Sequence, residues 1–97
     1  MSYRTPGRLV PKRPRGLRAG SVALKPGEAM PWHSTENREE LLIALAGRVY
    51  VKVERPGGRC AQTMLNAGEC VLLPRRTLHT VRNRSRRTAR YLYVTGR

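Results

Sequence analysis

Phenylalanine is absent from this chain, and histidine and cysteine occur only twice each. Without phenylalanine, any core must be assembled from Leu, Val, Ile, Ala and Met, with Trp32 and four tyrosines. No apolar run approaches the roughly 20 residues that a membrane-spanning helix needs, so none is expected. The first 20 residues hold Pro6, Pro11 and Pro14 and lack the apolar segment of a secretory signal, so no such signal is read there. Cys60 and Cys70 are too few and too far apart for a disulfide framework or a Cys-x-x-Cys motif. They are expected to be buried or half-buried free thiols in a reducing cytoplasm. Acids are scarce too, with six glutamates against 20 Lys and Arg and a formal charge of +14.

That charge is segregated. Residues 1–20 carry Arg4, Arg8, Lys12, Arg13, Arg15 and Arg18 with no acid, and residues 75–97 carry eight arginines with no acid. All six glutamates lie in the stretch 21–74, where six bases balance them. At 97 residues there is room for one small domain. Residues 1–20, dominated by Pro, Gly and Arg, read as a basic arm with a short edge strand around Leu9 and Val10. Residues 21–97 read as the folded domain.

Within 21–97 the pattern is of short strands separated by turn residues. Strands are expected at Ser21–Leu24, Glu40–Ala46, Arg48–Glu54, Cys60–Leu65, Cys70–Leu73, Leu78–Arg82 and Ala89–Thr95. Arg48–Glu54 alternates cleanly, with Val49, Val51 and Val53 on one face. Asn37–Ala46 contains good helix formers, but the flanking hairpin grammar favours a strand. The sum is an all-β fold, a small antiparallel barrel or sandwich. Both faces of Glu40–Ala46 are largely apolar: Leu42 and Ala44 follow Glu40 on one, and Leu41, Ile43 and Leu45 form the other. Both should be covered, and in so short a chain a second subunit is the expected cover, hence a homodimer.

The two histidines sit in spaced frames. The first runs Gly27, five residues, His33, one residue, Thr35, four residues, Glu40, six residues, Gly47. The second runs Gly68, five residues, Pro74, one residue, Arg76, two residues, His79, three residues, Asn83. Together they resemble the two motifs of the cupin superfamily, over roughly residues 20–95, with two departures. Thr35 stands where the family has a second histidine, and Arg76 where it has glycine. The resemblance implies a small jelly-roll-like β-barrel (a double-stranded β-helix) with a metal in one open end. It carries over three ligands: His33, Glu40 and His79. Thr35 becomes a weak ligand at best, or a partner for a metal-bound water.

The chemistry of the residues agrees with that implication. Two imidazoles and a carboxylate suit a divalent transition metal (Fe, Mn, Ni, Zn or Cu), and form the ligand set of the facial triad of non-haem iron oxygenases. A carboxylate beginning a strand face continued by Leu42 and Ala44 is costly unless paired or metal-bound. Gly27, Gly47, Gly68, Pro74 and Asn83 read as fold determinants. Trp32 fills the core or walls the site, core being the preferred assignment. Met30, Tyr50, Tyr91 and Tyr93 are compatible with a pocket lining that the sequence does not select. Arg76, with Arg75 and Arg82 near the second motif, suggests attraction of a small anionic ligand. The functions that fit are a metal-dependent enzyme of oxygenase or isomerase type acting on a small anion, a non-catalytic ligand-binding or sensor barrel, and a basic nucleic-acid-binding protein.

Overall fold

A computed structural model describes residues 2–9 and 16–97. Among these described residues lie nine strands: β1 (Gly7–Arg8), β2 (Leu17–Leu24), β3 (His33–Ser34), β4 (Glu39–Ala46), β5 (Arg48–Arg55), β6 (Arg59–Asn66), β7 (Cys70–Leu73), β8 (Leu78–Arg82) and β9 (Ala89–Gly96). No helix among the described residues is long and apolar enough to cross a membrane. The strands form two antiparallel sheets, one in the order β1-β2-β9-β4-β7 and the other β3-β8-β5-β6. This is the all-β, jelly-roll-like architecture that the sequence predicts.

Alternation along each strand builds the core. Leu24 of β2, Leu42 and Ala44 of β4, Leu73 of β7, and Ala89 and Tyr91 of β9 come from the first sheet. Val49 and Val51 of β5, Leu65 of β6 and Val81 of β8 come from the second. All are buried, and the residues between them along each strand face outward. Glu39–Ala46 is a strand despite its helix formers, because it pairs with both β7 and β9, and tertiary pairing outweighs local preference.

Two glycines are dictated by the packing. Gly47 takes φ 72°, and a Cβ there would press within 3.2 Å of the Ala89 backbone, so the β4–β5 turn needs glycine. Gly20 lies under the Tyr93 ring, in the space a side chain would take.

Some expectations shift. β2 begins at Leu17, inside the stretch read as arm. The arm's edge strand is Gly7–Arg8, and the Leu9 amide extends it by donating to the Ala19 carbonyl at 2.8 Å; Val10 lies outside the described residues. β3, two residues long, is too short for the strand pattern to reveal. Trp32 is not core: it is 45% exposed and lies just before β3, at a small surface pocket. Cys60 and Cys70 are free but exposed, not buried. Cys70 alternates with Val71 and Leu73, which pack inward, so its side chain takes the outer face of β7.

The outer face of the five-stranded sheet is apolar. Leu41 and Ile43 of β4 stand beside Val94 and Leu92 of β9, and Leu72 of β7 lies opposite Leu41. Leu72 is 60% exposed, and the other four are half-buried.

Candidate metal centre

At one end of the barrel the inner faces turn polar. On the second sheet, His79 of β8 pairs with His33 of β3 on one side and Val53 of β5 on the other. This register sets two imidazoles side by side, with ring centroids 4.2 Å apart. Glu40 of β4 faces them from the first sheet, its Oε2 2.9 Å from His79 Nε2. One ligand atom from each of His33, Glu40 and His79 lies within 4.8 Å of the other two. His79 and Glu40 are buried, whereas His33 stands at the exposed mouth.

The imidazoles are oriented by the backbone. His33 Nδ1 donates to the Pro31 carbonyl at 2.8 Å, and His79 Nδ1 to the Thr77 carbonyl at 3.0 Å. A carbonyl can only accept, so both Nδ1 atoms carry hydrogen, and Nε2 is the nitrogen on each ring that could ligate a metal. Without a metal, His79 Nε2 must also carry a proton to face a carboxylate. Burial alone would lower the His79 pKa, but the hydrogen bonds to Glu40 and Thr77 and the charge of Glu40 prevail, and the pKa is raised. A divalent cation would take the place of that proton and meet two nitrogens and an oxygen, a donor set that suits it. The residues present therefore fit such an ion.

Around the cluster lies a cavity of about 770 Å³. Val81 and Tyr91 contribute to its wall, with Met30 and Tyr93 beside them. Tyr91 is buried, and its pKa is pushed up by that burial and by the charges of Glu40 and Tyr93. The other sequence-derived candidates lie as follows. Thr35 lines the cavity, but its hydroxyl donates to the Pro74 carbonyl at 2.8 Å and accepts from the Thr77 amide at 2.9 Å. It thereby ties the chain after β3 to the turn that leads into β8. Arg76 is exposed and lies outside the cavity lining. Its backbone takes φ 56°, and its amide donates to the Glu36 carbonyl at 2.8 Å. The left-handed conformation explains why a glycine suits this motif position. Tyr50 belongs with Trp32 to a separate small surface pocket.

The cavity's arginines are not those nominated from the sequence: they are Arg8, Arg18, Arg38 and Arg97. Arg38 is buried, and its pKa is lowered by that burial and by the like charges of Arg18 and Arg97. Period-two alternation backward from Glu40 would have placed Arg38 on the inner face. No local signal marks Arg18 or Arg97, because long-range pairing of β2 with β9 brings them there.

A family profile described as cupin domain matches residues 20–95. Among solved structures, a protein of Thermus thermophilus is 26% identical, with TM-score 0.77 over 99% of this chain and 89% of that one. A cupin 2 conserved barrel domain protein from Salinispora arenicola is 24% identical, with TM-score 0.77 over 94% and 73%. Oxalate oxidase is 21% identical, with TM-score 0.78 over 84% of this chain and 42% of its own, so the present chain spans less than half of it. Among curated proteins nothing matches.

Proposed function

The chain belongs to the cupin domain family, and on that premise we propose that it binds one divalent transition metal through His33, Glu40 and His79 and uses the site to take a small anionic molecule. The observation that carries this proposal is the convergence of the three ligand atoms within 4.8 Å, with both Nδ1 atoms already engaged by backbone carbonyls. With three protein ligands, positions remain open for a ligand. A metal held there would supply Lewis-acid polarisation or oxygen chemistry, the oxygenase or isomerase type of reaction. The protein's own residues would orient the imidazoles, balance the charge with Glu40 and wall the pocket with Met30, Val81, Tyr91 and Tyr93. A second copy of the chain, docked on the outer face of Leu41, Ile43, Leu72, Leu92 and Val94, completes the proposal as a homodimer.

Elemental analysis of untagged protein tests the centre. Wild type should carry about one metal per chain after reconstitution, as one three-ligand site implies, and Glu40→Ala should lose most of it. Wild type without metal after loading would overturn the proposal. Turnover of small carboxylates by the loaded protein then separates an enzyme from a binding barrel.

A further inference from the structure

Three of the cavity's arginines gather around Thr95. Arg18 pairs with Thr95 across the β2–β9 ladder, and Glu40 pairs with it across the β4–β9 ladder. Neighbouring strands lie ~4.8 Å apart, so Arg18 and Glu40 are separated by about 10 Å across the sheet. Arg38 precedes Glu40 by two residues and Arg97 follows Thr95 by two, and both line the cavity. Arg38 Nε donates to Thr95 Oγ1 at 3.0 Å, and its Nη2 to the Thr95 carbonyl at 3.4 Å. Neither acceptor is an acid.

Among the described residues, no arginine lies within ion-pair distance of a carboxylate. The cavity is lined by two acidic side chains. Glu40 is engaged by His79, and Glu36 is exposed. Arg38 is buried and loses hydration, and the exposed Arg18 and Arg97 add like charge beside it, an arrangement that an anion joining the three would relieve. A planar guanidinium suits an oxyanion, and Arg38 turns its Nε and Nη2 to Thr95, which leaves its Nη1 side to meet one.

We infer that Arg18, Arg38 and Arg97 form an oxyanion anchor at the barrel mouth, and that the ligand is a small dianion bridging this anchor and the His33, Glu40 and His79 cluster. This deepens the metal-centre proposal and rests on it. One anionic group of the ligand reaches the metal, and a carboxylate or phosphate at its far end meets the arginines.

Calorimetric titration of the metal-loaded full chain tests the inference. The dicarboxylates from succinate to adipate are each compared with the monocarboxylate of the same carbon count, and phosphoglycolate is compared with glycolate. In at least one pair the dianion should bind tenfold tighter or more. Because Arg38→Gln also removes a contact to Thr95, the deciding variant is the exposed pair Arg18→Gln and Arg97→Gln. It should abolish the preference while metal content stays within twofold. In metal-free protein, both members of a pair should bind through the arginines alone, and the double variant should lose both. Equal binding in every pair, or a preference that survives in the double variant, would overturn the anchor and leave a measured metal content standing. Wild type that loads no metal would overturn the metal centre, and loss of anion binding in the double variant would still establish the anchor.

Discussion

The pairing of His79 with Glu40 has a pH signature in metal-free protein. His79 has its pKa raised from 6.5 in the folded chain, with Glu40, His33 and Tyr91 around it in the same cavity. A raised folded-state value means that the pair stabilises fully below the unfolded value and that this contribution fades as pH rises through the folded one. Chelator-treated wild type should therefore exceed Glu40→Gln in melting temperature most at pH 6, with the gap narrowing toward pH 9. A gap independent of pH would contradict the ionic pairing. Arg76 offers a second test at this scale. A non-glycine residue at φ 56° is strained, so Arg76→Gly should stabilise the fold by about 0.5–1 kcal/mol in urea titration.

Among the connecting elements, the loop between β8 and β9 depends on one buried amide. Asn83 Nδ2 donates to the Leu24 carbonyl at 3.0 Å and to the Arg87 carbonyl at 2.7 Å, while its Oδ1 accepts from the Ser85 amide and hydroxyl. One side chain thus satisfies backbone groups at the end of β2 and within the 83–87 turn, opposite the barrel's open mouth. Asn83→Ala would strand those partners, and chemical denaturation should record a loss of about 3 kcal/mol. Metal content should be unchanged at temperatures where the variant stays folded, because the amide touches none of the three ligands. β3 is the contrasting element. Its two residues contribute little burial, yet their pairing with β8 sets His33 beside His79.

For the whole molecule, the outer face of the five-stranded sheet is where a partner would dock. Its apolar row runs across β7, β4 and β9, half-buried except for exposed Leu72, and the proposed second copy would cover it. Sedimentation at micromolar concentration should give twice the chain mass. Ile43→Glu, at the centre of the row, should give a monomer that keeps its metal. A monomeric wild type would remove the homodimer from the proposal.

Much of this architecture is legible in local sequence. Period-two alternation in Arg48–Glu54 and turn residues at Gly47, Pro56 and Gly68 identify strands, because strand geometry depends on neighbouring residues alone, while the three candidate ligands follow from the resemblance of the frames around His33 and His79 to the cupin motifs. Exposure is less legible. Trp32 and both cysteines are exposed, since a residue's type states only a preference for burial, and for the cysteines strand register decides the face. The arginines of the cavity are beyond local reading altogether. Arg18 and Arg97 are 79 positions apart, and only the β2–β9 and β4–β9 ladders bring them around Thr95 beside Glu40. By itself, then, the sequence determined the all-β fold, a matter of local pattern, and named the candidate ligands through its resemblance to the cupin motifs. The tertiary structure decided which charges share the cavity with those ligands, because that depends on pairings between distant segments.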